Sequence, residues 1–511
     1  MKTTCLIGFA EGGTMRPVVA GVESPLAQDA HASSAASINS RLAPRLPVSE
    51  GTAPVARHLP SSQQFMKKSC IAAIIVLLAG CSTSSGALPY MQGGAPLRAL
   101  GARGAGKISH VVFIVQENRS FDNLFHGYPG ADTVSSGKGS RGQTIQLRPL
   151  SLADQYEIDH SARAMFVACH GRGKLRGEDC RMDGFDRERF FGPPPDPQYV
   201  YVPHKESKPY FDMAREWVLA DKTFQSQLDE SFTAHQYIIA AQDAFAVNIP
   251  TGMWGCGGRS YDVVSTITKE RDPHGPSVKP CFDYPTLADE LDQAKLSWRF
   301  YASTYGSASS GSGADWSGLQ AVKHIRYGPD WKNVISPNWK FITDVRAGQL
   351  ANFTWITPVC EASDHVNCGG GYGPSWVAAL VNTVGKSKFW KSTAIFVIWD
   401  DWGGLYDHVA PPPPYYRDGL GFRVPLLVIS PYAKARYVSH VQYETTSVLR
   451  FAEDLFGLNQ LTDADRRATS PADDCFDFTK PPRPFAKIAA PLPPRFFMRS
   501  HPSDYFAPDY D

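Results

Sequence analysis

From about Lys107 onward, short apolar runs alternate with stretches whose apolar residues recur at helical spacing. The runs are HVVFIV at 110–115, WRFYA at 298–302, FTWITP at 353–358, TAIFVIWDD at 393–401 and RVPLLVIS at 423–430. Runs that are apolar at successive positions suit strands buried on both faces of a parallel sheet. Between them, Tyr210 to Phe224, Thr233 to Ala241, Thr286 to Ala294, Ser375 to Val384 and Thr446 to Phe456 read as amphipathic helices. This alternation predicts a three-layer αβα sandwich with a mainly parallel central sheet. Two regions interrupt it, 126–209 and 303–318, rich in Gly, Pro, Ser or charge, and they are expected to form lid insertions around a site. After about Asp473 the chain is rich in Pro and aromatic residues and is expected to wrap the domain in extended form.

The pattern before Lys107 is different. Residues 1–65 are rich in Ala, Ser and Pro without sustained periodicity, and then MKKSCIAAIIVLLAGCSTSSG begins at Met66. Lys67 and Lys68 followed by Ile71 to Leu78 have the layout of a short secretory signal, too short to span a bilayer as a helix. Leu78-Ala79-Gly80-Cys81 resembles the bacterial lipobox, in which the cysteine becomes the lipidated first residue. The division expected is therefore a misassigned extension over 1–65, a lipoprotein signal over 66–80, a flexible linker over 81–106 and a catalytic domain over 107–511. Cys81 would anchor an exported protein to the membrane as an outer-membrane or periplasmic lipoprotein.

Composition adds two constraints. With 511 residues, 43% of them hydrophobic, the chain can bury a large core, and 51 basic against 50 acidic residues provide no basic field for nucleic acid. After Cys81 come Cys169 and Cys180, Cys256 and Cys281, Cys360 and Cys368, and a last one, Cys475. Three close pairs suggest local disulfides in an oxidising compartment.

The candidate chemistry lies where strands end. Ligands of open α/β sheets bind beyond the carboxyl ends of the strands, and two runs end there in metal-ligand residue types. Val111 to Val115 leads into Glu117 and Asn118, and Ile395 to Trp399 leads into Asp400 and Asp401. Three carboxylates and an amide oxygen suit a divalent cation. The alternative for two aspartates after a strand is a turn or a helix cap. Gly403 and Gly404 then permit close backbone approach, and His408 is a candidate ligand or donor. No Gly-rich phosphate loop of the Rossmann or Walker kind follows a strand.

QENRSFDNLFHGYPG (116–130) resembles the opening motif of bacterial phosphoesterases of the phospholipase C and acid phosphatase type. WDDWGGLYDHVAPP (399–412) is similar to their second motif, and the stretch 421–458 to their third. The resemblance implies an alkaline-phosphatase-like fold and hydrolysis of a phosphoric ester, a phospholipid or a phosphomonoester. By position it implies that Glu117, Asn118, Asp400 and Asp401 hold a divalent metal, and that Thr233 in LDESFTAHQYIIAAQ is the nucleophile of a phosphoenzyme intermediate. A hydroxyl there would sit at a helix N-terminus, where amide donors favour a phosphate; the other reading is a plain N-cap. His160, His204, His365 and His408 fall in stretches similar to family segments and would donate to phosphate oxygens or protonate the leaving group. Arg119 and Asp122 read as supporting residues, and Asp364 as one that orients or assists His365. Two departures stand out: His235-Gln236 where the family has Pro-Asn, and Glu444-Thr445-Thr446-Ser447 where it has Asp-His-Thr-Ser. The alternative function is an inactive surface lipoprotein that binds with the same fold. A sulfatase reading lacks its Cys/Ser-x-Pro-x-Arg motif.

Overall fold

The computed structural model describes residues 104–303, 316–413, 415, 417 and 419–499. The signal, the lipobox with Cys81 and most of the loop expected at 303–318 lie outside them. Nine strands form the central sheet: β1 (His110–Gln116), β2 (Val218–Phe224), β3 (Trp298–Tyr301), β4 (Val334–Ile335), β5 (Phe353–Ile356), β6 (Thr393–Trp399), β7 (Arg423–Ile429), β8 (Tyr437–Ser439) and β9 (Tyr443–Glu444). Their order is β4-β3-β5-β1-β6-β7-β2-β8, with β9 also paired to β2. Every neighbouring pair is parallel except those of β7, which runs against both β6 and β2.

The main helices are α1 (His204–Glu216), α2 (Ser231–Ala240), α3 (Leu287–Gln293), α4 (Gly373–Gly385) and α5 (Ser447–Phe456). Register assigns them to faces. Phe113 lies level with both Trp355 and Phe396, so these three side chains share a face. Trp399, three residues on from Phe396, points to the other. Trp355 donates through Nε1 to the Ile238 carbonyl of α2 at 3.1 Å, and Phe396 meets Phe451 of α5. Trp399 instead packs edge-on against Tyr210 of α1, which contacts α4. The result is the expected sandwich of two helical layers around a mainly parallel sheet. Val111 to Val115 are fully buried because β1 has strands on both sides and helices on both faces.

One predicted element differs. The helix expected over Tyr210 to Phe224 ends at Glu216, and Val218–Phe224 is strand β2. Asp221 and Lys222 disguise that strand. Inside the fold Asp221 accepts from the Asp132 amide at 2.9 Å and is paired with His440 at 2.8 Å, so its burial is compensated.

The close cysteine pairs form disulfides: Cys169–Cys180, Cys256–Cys281 and Cys360–Cys368. Cys475 is free and buried. No helix among the described residues is long and apolar enough to cross a membrane.

Candidate active site

Strand register assembles the site. Gln116 at the end of β1 lies level with Trp399 at the end of β6, so the residues that follow, Glu117-Asn118 and Asp400-Asp401, emerge side by side. The Asp400 amide donates to the Gln116 carbonyl at 2.9 Å, and the Arg119 amide to the Asp401 carbonyl at 3.0 Å. β2 runs in the same sense as β1 and β6, so its carboxyl end delivers α2 to the same edge.

Two groups of side chains result. In the first, Glu117, His235 and Asp400 place one ligand atom each within 4.8 Å of one another, and all three are buried. His235 Nε2 stands 3.3 Å from the Glu117 carboxylate and 3.6 Å from Asp400 Oδ2. Two buried carboxylates facing one imidazole form a donor set that fits a divalent cation of the borderline kind. In the second group, Ser231 Oγ donates toward Asp401 Oδ2 at 3.2 Å and lies 3.4 Å from Asn118 Oδ1. Asn118 Nδ2 is 2.9 Å from His160 Nε2, whose Nδ1 is 2.8 Å from the Ile158 carbonyl. With Nδ1 as the donor to that carbonyl, Nε2 accepts from the amide, which aims Asn118 Oδ1 at the serine. The groups join where the Asn118 amide donates to Asp400 Oδ1 at 2.9 Å.

Backbone geometry makes this possible. Asn118 has φ +55°, a left-handed conformation that Asn tolerates better than most residues. Gly403 has φ +59°, and a Cβ there would lie 2.6 Å from the Asn118 carbonyl oxygen. Asp401 Oδ1 accepts from the Gly403 amide at 2.8 Å, which leaves Oδ2 toward Ser231.

Thr233, the expected nucleophile, is turned elsewhere. Its hydroxyl donates to Asp229 Oδ1 at 2.6 Å, with the Glu230 carbonyl at 3.0 Å. Burial raises the Asp229 carboxyl to about 6, against the pull of Thr233 and the Asn248 amide. Ser231 and His235, four residues apart, share a face of α2, whereas Thr233 lies about 200° around the helix from Ser231.

The remaining expected residues divide. His365 is buried with its ring 6.4 Å from that of His160 and 5.8 Å from that of Trp316. His204 is exposed at the start of α1, bonded to the His126 carbonyl and packed on Phe211, outside both groups. His408 is held by Asp122 at 2.6 Å and Asp132 at 3.1 Å. Asp122, Asp407 and His408 also have ligand spacing, but Arg423 already bridges them, 3.0 Å from Asp407 and 3.5 Å from Asp122. Asp122 is thus a structural partner of His408 and Arg423. Asp364 does not orient His365: its Oδ2 accepts from Tyr210 at 2.7 Å and Trp399 at 2.9 Å, and burial raises its carboxyl to about 6. Arg119 donates to the Asp364 carbonyl at 2.7 Å and so tethers the backbone beside His365.

The sequence profile of the Phosphoesterase family matches residues 108–459. The chain belongs to the Phosphoesterase family. It is a phosphoric ester hydrolase, similar to proteins named phospholipase C. Phospholipase C B of Mycobacterium tuberculosis is 25% identical over 483 residues, covering 80% of this chain and 85% of that protein. The non-hemolytic phospholipase C of Pseudomonas aeruginosa is 24% identical, covering 69% of this chain and 54% of that one. Among solved structures, a protein of the alkaline phosphatase superfamily from Vibrio parahaemolyticus aligns with this phosphoesterase at a TM-score of 0.32 and 12% identity, over 74% of this chain and 72% of that one.

Proposed function

We propose that this phosphoesterase is an exported, metal-dependent phosphodiesterase of the phospholipase C type and that Ser231 is its nucleophile. The observation that carries this reading is the Ser231 hydroxyl at the N-terminus of α2, 3.2 Å from Asp401 Oδ2 and beside the Glu117–His235–Asp400 group. Glu117, His235 and Asp400 would hold the metal, with Asn118 and Asp401 at its edge, and when bound it supplies charge to stabilise developing oxyanions.

The chain's own residues do the rest. Asp401 takes the Ser231 proton as Oγ attacks phosphorus, and the first-turn amides of α2 face the phosphate oxygens. His365 donates a proton to the departing alkoxide. It then takes a proton from the water that attacks the phosphoserine, and Asp401 returns its own proton to Ser231. His160 positions Asn118, and so Ser231, through the 2.9 Å contact. Three disulfides and the signal-like segment at 66–80 support export, with a lipid anchor at Cys81. The names of the relatives favour a phospholipid over a phosphomonoester substrate.

The test is turnover of phosphatidylcholine, a soluble chromogenic phosphodiester and a phosphomonoester, with and without chelator. Ser231→Ala is expected to lower kcat by about 10³-fold or more, and Thr233→Ala by less than about tenfold. The reverse ranking would overturn the nucleophile assignment. Full turnover in chelator would overturn metal dependence, and preference for the monoester would overturn the phosphodiester reading.

A further inference from the structure

Phe190 and Phe191 form a two-residue strand paired antiparallel with Glu157–Ile158, Phe190 level with Ile158 and Phe191 with Glu157. Successive residues of a strand point to opposite sides, so one phenyl would ordinarily find the core. Here neither does: Phe190 is 39% exposed and Phe191 65%, while Ile158 opposite Phe190 is fully buried. Ile158 supplies the carbonyl that His160 contacts, and it lies against Gly404 of the loop after β6, since a Cβ on Gly404 would come 2.3 Å from Ile158 Cγ2. The exposed phenyls are therefore fixed to the rim of the active site by a single strand pairing.

The flanks have a consistent chemistry. Arg187 and Arg189 are exposed and make no ion pair among the described residues. Among the neighbouring carboxylates, Asp186 is turned to Ser140 and Gln143 and Asp159 to Ser161, while Glu188, between the two arginines, is buried and its pKa is pushed well up by that burial. Gly192-Pro193-Pro194-Pro195 follows, a stretch poor in backbone donors that cannot extend the strand or accept another along it. Addition of a partner strand is thereby disfavoured, whereas phenyl rings beside unpaired guanidinium groups match the boundary between lipid headgroups and acyl chains.

We propose that the segment Arg187–Pro195 is an interfacial docking element that seats the phosphoesterase on a phospholipid bilayer, Phe190 and Phe191 entering the headgroup boundary and Arg187 and Arg189 meeting lipid phosphates. The proposal rests on the phospholipid reading of the site. It would give the active site access to a substrate that stays in its membrane, with the contact made next to His160.

The experiment compares two forms of the full chain, both carrying Cys81→Ser so that no lipid anchor contributes. One keeps both phenylalanines and the other carries Phe190→Ser and Phe191→Ser. Binding to phosphatidylcholine vesicles is measured by sedimentation, alongside turnover of the same vesicles and of a soluble phosphodiester. The expected result is vesicle binding and vesicle turnover lowered about tenfold or more with soluble turnover unchanged. In vesicles containing phosphatidylglycerol, Arg187→Gln with Arg189→Gln is expected to weaken binding about fivefold or more, a loss that added salt imposes on the parent as well. Unchanged vesicle binding in the Phe double variant overturns the proposal, and if that variant also loses a self-association present in the parent, the face belongs to a second copy. Equal loss of soluble turnover overturns it too, by making the Phe190–Phe191 strand part of the site. A parent that hydrolyses no phosphoester would sink the reading of the site, while the vesicle-binding comparison would still decide the docking element.

Discussion

Gly403 stands at a point of close backbone approach in the site. At φ +59°, with the Asn118 carbonyl and Cβ where its own Cβ would stand, no other residue fits without moving Asn118. Asn118 in turn aims at Ser231, so the displacement reaches the proposed nucleophile. Gly403→Ala is expected to cost about 1–3 kcal/mol in unfolding free energy and to lower kcat/KM on a soluble phosphodiester about 10²-fold or more. An Ala variant with parental kcat would show that Asn118 is not tightly held. Residue types were legible in the sequence here, but not every role. Glu117, Asn118, Asp400 and Asp401 were visible because polar residues end apolar strands at an edge where ligands bind. Ser231 and His235 share a helix face at four-residue spacing, whereas Thr233 in the same stretch turns its hydroxyl to Asp229, and residue type alone does not separate the two hydroxyls. His204 and His408 look alike in sequence, and only their partners separate them: His126 and Phe211 for one, Asp122 and Asp132 for the other.

At the scale of elements, the legible ones are those whose burial needs no polar compensation. β1 and β6 read directly, because Val111 to Val115 and Ala394 to Trp399 are apolar at every position and buried. β2 did not, since Asp221 is affordable only with Asp132 and His440 beside it, a tertiary fact. The loop from Cys360 to Cys368 combines both kinds of information. Its disulfide follows from proximity in sequence, but what it holds does not: Asp364 receives a bond from Tyr210 of α1, its amide donates to Gln116 at the end of β1, and His365 comes next to His160. Opening this bridge by Cys360→Ser with Cys368→Ser releases a loop whose closure spans a separation of 8 residues, worth about 2–3 kcal/mol in the chain-entropy account. Because the loop positions His365, turnover should fall by more than stability does. The check is kcat measured well below the melting temperature of the variant; full kcat there would remove His365 from the reaction.

Across the whole molecule, one buried network ties the first motif to the antiparallel strand and to the insertion that begins at 126. Arg423 of β7 donates to Asp407 at 3.0 Å and to the Asp221 carbonyl of β2 at 2.8 Å, while His408 bridges Asp122, within the first motif, and Asp132 just beyond it. Both ring nitrogens of His408 face carboxylate oxygens, an arrangement that only the protonated ring satisfies on both sides. Burial acts to lower its pKa, but the hydrogen bond and charge of Asp122 outweigh it and hold the value above the usual 6.5. The sign follows. A histidine pKa raised on folding means that the folded state binds the proton more tightly, so its contribution is fully present below the unfolded value near 6.5 and is lost as pH rises through the folded one. Asp407, raised by burial to about 6 against the pull of Arg423, titrates in a neighbouring range, so the pH dependence of the parent alone mixes the two. His408→Gln isolates the histidine. In urea unfolding the variant should be less stable by about 1.5–3 kcal/mol near pH 5.5, where the parent ring is charged, and the gap should narrow steadily toward pH 9. A gap that stays constant across that range would mean that His408 acts through packing alone and that the charge on the ring does not hold the insertion to the first motif.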